Sequence, residues 1–187
     1  SEVSVKEMVG AFSIYANKGV YNVPMMVTKI EDKYGNVLAN FYPESREVIT
    51  ENTAFLMANL LQGVVDEGTG RRLRFRYGFK NQIGGKTGTT QNHSDGWFIG
   101  ITPDLAGGVW VRAEDRSIHF QNLANGQGAS MALPIWALFM QKVYADKSLA
   151  VPQGDFQKPN GVNHVLDCGD ADREGMTDYD SSDEIFD

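Results

Sequence analysis

Gly84-Gly85-Lys86-Thr87-Gly88-Thr89-Thr90 gathers a cation, hydroxyls and glycines into seven consecutive residues, and an apolar run, Trp97-Phe98-Ile99-Gly100-Ile101, follows it. The alternation Lys-Thr-Gly-Thr predicts an extended strand. In a strand, Lys86, Gly88 and Thr90 point to one face, and Thr87 and Thr89 to the other. Gly88 has no side chain, so another molecule could lie close against the backbone there. Backbone N–H groups, hydroxyl donors and an ammonium together suit an anionic ligand, above all a carboxylate. The triplet Lys-Thr-Gly also has a bland reading, since a Gly-rich strand start is often only a turn. A phosphate loop would need glycine five residues before Gly85. Lys80 stands there, and Lys86-Thr87 runs into a strand rather than a helix start, so nucleotide binding is set aside.

Downstream of that strand, Asn92-His93-Ser94-Asp95 reads as a turn and residues 96–102 as a second strand. Pro103-Asp104 turns the chain again, and residues 107–113 form a third strand. Connections this short favour an antiparallel meander. The polar, Gly-rich residues 121–128 read as a loop. Ser130 then starts a helix carrying Ile135, Trp136, Phe139, Met140 and Val143, with Pro134 in its first turn. Such a helix would cover one face of the meander.

Upstream, Ser4-Val5-Lys6-Glu7 is a capping box. Val5, Met8, Val9, Phe12, Tyr15 and Ala16 follow at helical spacing, and Lys18-Gly19 supplies the stop. Residues 25–30 and 37–41 read as two strands around a turn containing Gly35 and Asn36. Thr50 caps a second helix with Met57, Leu60, Leu61, Val64 and Val65 on its apolar face, ending at Gly68-Thr69-Gly70. Arg71, Arg72, Arg74 and Arg76 interleave with Leu73, Phe75 and Tyr77. That cluster has two readings: the lining of an acidic-substrate groove, or a solvated turn whose alternate residues pack.

The chain has 187 residues, 42% of them hydrophobic, enough for one domain with a real core. Its net charge is −7, spread unevenly. Residues 167–187 hold nine Asp/Glu and one Arg, a net of −8, which leaves the other 166 residues near +1. No basic stripe is present, so nucleic acid is not an expected partner. Cys168, the single cysteine, has no internal disulfide partner and no zinc spacing around it. His93, His119 and His164 are far apart and match no ligand pattern, so neither a metal nor a cofactor is expected. Asn92-His93-Ser94 is formally a glycosylation sequon with nothing else to support that use. No run of about 18 apolar residues exists. The chain has no initiator Met and opens directly on a helix signature, as a piece of something longer would.

Taken in order, the helix–hairpin–helix series ending in Glu67-Gly68-Thr69-Gly70 is followed by Gly85-Lys86-Thr87-Gly88-Thr89-Thr90 and Asp95-Gly96-Trp97-Phe98-Ile99-Gly100. Thr102-Pro103-Asp104, Gly108-Val109-Trp110-Val111, Ala132-Leu133-Pro134-Ile135-Trp136 and Phe139-Met140 complete the series. From about Ser1 to Ala145 the chain resembles the C-terminal part of the transpeptidase domain of a class A (bifunctional) penicillin-binding protein. The resemblance implies an α/β (α+β) fold of the penicillin-recognising, β-lactamase-like kind, an antiparallel sheet backed by helices. It implies a serine acyl transferase with three motifs, Ser-x-x-Lys, Ser-x-Asn and Lys-Thr-Gly. The serine would attack the D-Ala-D-Ala end of a peptidoglycan stem peptide, and a neighbouring strand's amine would resolve the acyl-enzyme. Penicillins and other β-lactams would acylate the same serine. Lys86 would hold the second motif's serine and add positive potential. Thr87 and Thr89 would offer hydroxyls to the substrate carboxylate, and the Thr89 N–H would be one oxyanion donor. Gly88 would keep the strand surface open. Trp97 and Trp110 are read as packing residues on the following strands.

The chain departs from that pattern. No serine has Lys three residues on or Asn two residues on. Tyr15-Ala16-Asn17 imitates the second motif's tyrosine variant but lies at the end of the first helix, and is read as coincidence. The expectation is therefore a division into residues 1–148, the C-terminal portion of a transpeptidase domain; residues 149–166, a linker; and residues 167–187, an acidic tail, disordered unless a protein partner orders it. Nucleophile, second motif, glycosyltransferase domain and membrane anchor would precede Ser1, placing the parent protein on the extracytoplasmic (periplasmic) face of the bacterial inner membrane. This chain alone would be inactive. The rival readings are a fragment of a serine β-lactamase or D-Ala-D-Ala carboxypeptidase, and a non-catalytic module that binds a carboxylate or a protein.

Overall fold

The structure, a computed structural model, describes residues 3–162. The acidic tail, His164 and Cys168 lie outside the described residues.

Helix α1 (Val5–Ala16) begins where the sequence places it. The Glu7 N–H donates to Ser4 Oγ, and the Ser4 N–H donates to Glu7 Oε2 at 2.8 Å. Two of the four N–H groups that a helix start leaves without partners are thereby satisfied. After α1 the backbone turns through Lys18 and Gly19, both at positive φ.

The expected hairpin forms between β2 (Lys29–Glu31) and β3 (Val37–Asn40), with Asp32 Oδ1 accepting from the N–H groups of Tyr34 and Asn36. Its first strand is shorter than residues 25–30 predict. A second antiparallel pair flanks it, β1 (Val20–Asn22) with β4 (Ser45–Glu47), which the sequence reading lacks. Each of those strands is only three residues long, too short for a period-2 pattern to show.

Helix α2 (Glu51–Asp66) is capped by Thr50, as expected. The arginine-rich stretch is not an irregular turn. It contains a one-turn helix, α3 (Arg72–Phe75), with Leu73 buried and Phe75 70% exposed, so Phe75 does not pack.

The central sheet is the predicted meander, in the order β5 (Gly84–Thr89), β6 (Asp95–Ile101) and β7 (Ala106–Arg112). Lys86 faces Ile99, Gly88 faces Trp97, and Trp97 faces Trp110 across the ladder. Directly opposed residues share a face, so Lys86, Gly88, Trp97, Ile99 and Trp110 lie on one side, and Thr87, Thr89 and Phe98 on the other. α1 covers the first side, with Val5 and Val9 against Gly108.

The last helix, α5 (Gly128–Ala145), covers the second side. Trp136, 1% exposed, crosses the Phe98 ring at 5.4 Å and 71° and lies directly over Gly100, where a Cβ would clash with the indole. Truncating such a residue to Ala costs roughly 3–5 kcal/mol.

Three details of this region differ from expectation. The loop before α5 holds a short helix, α4 (Leu123–Gly126). α5 starts at Gly128 rather than Ser130, so Pro134 sits in its second turn, where its missing N–H removes the donor for the Ser130 carbonyl. Ile135 and Phe139 are exposed along with Leu138, because the helix rotates Trp136, Met140 and Val143 onto the sheet instead.

Beyond α5, residues 149–162 contain no helix or strand, yet they are anchored. Phe156 is buried against Ala58, Leu61 and Ile101, its N–H donates to Gln82 Oε1 at 2.9 Å, and Val162 is buried as well. Composition alone reads residues 149–166 as a linker and does not reveal this anchor, because one aromatic does not change a Pro/Gly/Gln-rich average.

Candidate functional site

β5 is an edge strand, and its edge is covered unevenly. α2 runs past its first two residues, with Leu61 against Gly84 and Val65 against Gly85, and both glycines are buried. From Lys86 onward no strand pairs with that edge among the described residues, and Lys86 and Thr89 are exposed. The strand therefore offers unpaired backbone groups beside its own polar side chains.

A cleft of about 250 Å³ opens at this place, between Val3, Met8 and Phe12 on one side and Lys86, Thr87, Gly88, Trp97 and Ile99 on the other. Its wall is apolar apart from Lys86 and Thr87. The Lys86 ammonium donates to the Thr87 carbonyl at 2.9 Å, leaving two of its three protons without a protein acceptor among the described residues. Trp97 stacks on Trp110 with ring centroids 5.1 Å apart and 19° between planes. The Arg112 guanidinium lies 5.0 Å from the Trp110 ring centroid, extending the stack outward.

The two threonine hydroxyls project to the other face, and each meets a partner from a different element. Thr87 Oγ1 is 2.8 Å from Thr69 Oγ1, in the turn after α2. Thr89 Oγ1 accepts the Gly128 N–H, at the start of α5, at 3.1 Å. A hydroxyl that accepts from the protein keeps its own proton to give away. Thr89 is thus left as a donor facing the exposed end of β5.

The arginine cluster does not form a groove of free cations. Arg74 donates to Asp66 Oδ1 from Nε (2.7 Å) and Nη2 (2.6 Å), and from Nη1 to the carbonyls of Phe79 and Asn81. Arg72 donates from Nη1 to the Ala129 carbonyl and to Ser130 Oγ, both at 2.9 Å. Arg71 and Arg76 are exposed. His93 and His119 lie away from the cleft, at a separate hollow of about 300 Å³ shared with Val111, Phe120 and Met131. No helix among the described residues is long and apolar enough to cross a membrane.

The structure thus brings Lys86, Thr87, Gly88 and Thr89 together on one open strand, as their spacing predicts. Sequence reasoning missed Thr69 and Gly128 as the partners of Thr87 and Thr89. No local signal marks them, because each meets its partner from another part of the chain.

Comparison with known proteins bears on this arrangement. The family model for the penicillin-binding protein transpeptidase domain matches residues 1–127. Penicillin-binding protein 1A of Aquifex aeolicus is 33% identical over 158 residues, covering 84% of this chain and 20% of that protein. The chain spans about a fifth of the length of such curated relatives. Among solved structures, penicillin-binding protein 1A from Haemophilus influenzae superposes over 84% of this chain and 28% of its own, with a TM-score of 0.73 and 24% identity. Penicillin-binding protein A from M. tuberculosis, solved as an imipenem acyl-enzyme complex, covers 74% of this chain and 31% of its own at a TM-score of 0.57 and 20% identity. Likeness at those identities is likeness of fold.

Proposed function

Since this chain belongs to the family of penicillin-binding protein transpeptidase domains, we propose that its β5 strand grips the carboxylate end of a peptidoglycan stem peptide in a serine acyl-transfer site. The serine is not in this chain, where no Ser-x-x-Lys occurs. In this reading it comes from the protein upstream of Ser1, in keeping with relatives that are about four to five times as long. The same upstream portion carries the glycosyltransferase domain and the anchor that holds the protein at the outer face of the membrane.

The single observation that carries the reading is the uneven edge of β5: sealed by α2 at Gly84 and Gly85, open from Lys86 to Thr89. An extended peptide can add to such an edge through its main chain. Gly88 leaves room for it. Lys86 supplies positive charge, and the hydroxyls of Thr87 and Thr89 supply donors to a terminal carboxylate.

The chemistry is acyl transfer. The serine oxygen bonds to the carbonyl carbon of the penultimate D-Ala, the C–N bond to the terminal D-Ala breaks, and the proton from the serine leaves on the released amine. An acceptor amine then attacks the ester, forms the new amide and returns the proton to the serine. The Thr89 N–H serves as one of two donors to the oxyanion of each tetrahedral intermediate; removing one such donor typically costs about 3 kcal/mol of transition-state stabilisation. A β-lactam enters as a mimic of the donor peptide; the serine oxygen bonds to its carbonyl carbon, the ring C–N bond breaks, and the protonated nitrogen stays tethered to the acyl group.

Covalent labelling of the intact protein by a fluorescent penicillin tests this. Lys86→Ala is expected to slow labelling by about 100-fold, in line with the loss of one positioned electrostatic donor. Labelling at the wild-type rate would remove Lys86 from the site.

A further inference from the structure

The two hydroxyls of the binding strand are held by elements that one side chain ties together. Thr87 meets Thr69, immediately upstream of α3. Thr89 meets the N–H of Gly128, the first residue of α5. Arg72, in α3, reaches across to the first turn of α5 and donates to the Ala129 carbonyl and to Ser130 Oγ, both at 2.9 Å. Ser130 Oγ in turn donates to the Ala124 carbonyl at 2.6 Å, which fastens α4 to the same point.

Resting on the reading of Thr89 given above, we propose that Arg72 is a positioning residue for ligand capture, acting through Gly128 on the Thr89 hydroxyl.

Three observations carry this. First, the contact between α5 and β5 tolerates no slack. A Cβ on Gly128 would clash with the carbonyl oxygens of Gly88 and Trp97, so the helix start is pressed onto the ladder beside the strand's open end. A shift of a few tenths of an ångström there would lengthen the 3.1 Å bond to Thr89. Second, Arg72 is where electrostatics does not favour a cation. The macrodipole puts partial positive charge at a helix N-terminus, which repels a guanidinium. Arg72 pairs with no carboxylate among the described residues. It is held by two neutral acceptors, the Ala129 carbonyl and Ser130 Oγ, both served by Nη1. Third, the neighbouring Arg74 already fastens α3 to α2 and to residues 79–81, so α3 does not need Arg72 for its own placement.

With Arg72 in place, the Gly128 N–H stays aimed at Thr89 Oγ1. That occupies a lone pair and leaves the hydroxyl proton directed to the ligand. Without it, the start of α5 can drift and Thr89 can turn its proton to water. The ligand then meets a hydroxyl in the wrong rotamer, and capture slows while the chemistry after capture does not.

A double-variant cycle on the intact protein tests this, read as the second-order rate of acylation by a fluorescent penicillin. Thr89→Val should slow acylation by about tenfold, and Arg72→Gln by about five- to tenfold, each the worth of one good hydrogen bond. The double variant should be no slower than Thr89→Val alone, because both changes remove the same donor. Saturation should separate the effects further, the apparent affinity weakening in Arg72→Gln while the limiting rate holds. Arg71→Gln, which removes a neighbouring charge, should acylate at the wild-type rate. If the double variant shows the product of the two single losses, Arg72 acts on its own and the proposal is overturned. It is overturned equally if Arg72→Gln is normal while Thr89→Val is slow, or if Arg71→Gln is as slow as Arg72→Gln. A normal Thr89→Val instead refutes the role of Thr89 itself, and this proposal with it. Should Arg72→Gln not fold, Arg72→Met, which keeps the apolar stem and removes the donor, takes its place in the same cycle, with the same readings.

Discussion

Trp97 and Trp110 lie face to face on the side of the sheet that carries Lys86 and Gly88, 5.1 Å apart and 19° from parallel. They are opposed residues on β6 and β7, so the ladder itself sets their spacing. Aromatic pairs of this kind contribute about 0.5–1.5 kcal/mol beyond the area they bury. A cycle of Trp97→Leu, Trp110→Leu and the double variant, followed by denaturant unfolding of the intact protein, should give a coupling of about 1 kcal/mol. Strict additivity would mean that the rings merely occupy adjacent space.

Gly88 faces Trp97, and a Cβ there would stand 3.0 Å from the Trp97 Cβ and jut into the cleft. Gly88→Ala is therefore expected to separate binding from stability. Penicillin acylation should fall by about tenfold or more, while the unfolding midpoint moves by less than about 1 kcal/mol equivalent, as surface-facing substitutions do. An unchanged acylation rate would show that nothing approaches the strand at this point.

Phe156 fills part of the second core beside Ala58, Leu61 and Ile101. Phe156→Ala should lower unfolding stability by roughly 3 kcal/mol, the cost of emptying a buried aromatic site. Circular dichroism against denaturant would measure it. A change under about 0.5 kcal/mol would mean that the segment rests on the surface and is not built into it.

Tyr144 predicts a response to alkali. Burial pushes its phenol above the ordinary value, assisted by the negative charge of Asp104 and opposed by hydrogen bonds with Asn81 and Thr102. A raised folded value means that the folded state keeps its proton longer than the unfolded chain. The stabilisation is complete below the unfolded pKa near 10 and is lost as pH climbs through the folded value above it. Tyr144→Phe should flatten that alkaline decline. At neutral pH it should cost about 1 kcal/mol, because Asn81 Nδ2 loses its 2.9 Å partner. Identical pH profiles for the two proteins would refute the assignment.

Much of this fold is written locally. Ser4 with Glu7, Thr50 ahead of α2, and the alternation through Lys86 and Thr89 each carry their structure within a few residues, where capping and strand period operate. The β1–β4 pair does not. Its partners, Val20 and Glu47, stand far apart in sequence and belong to strands too short to show a pattern. The site divides the same way. The residues proposed to meet the ligand follow from one heptapeptide, whereas the contacts of Thr69, Arg72 and Gly128 form only when α2, α3 and α5 converge. Arg72 and Arg74 look alike in the sequence, yet the fold sends one to α5 and the other to Asp66. Ile135 and Phe139 were misplaced because a helix with apolar residues on several sides does not announce which of them the sheet will choose.

The Thr69–Thr87 contact can run in either direction, since either hydroxyl can be the donor across its 2.8 Å. In one arrangement Thr87 gives its proton to Thr69. In the proposed binding of a carboxylate both rotors would reverse, so that Thr69 gives to Thr87 and Thr87 gives to the newcomer. No bond is sacrificed in the exchange, and no backbone atom moves. If the strand grips such a group as proposed, turning two protons is all that separates its idle and engaged forms, which would make it a quick latch.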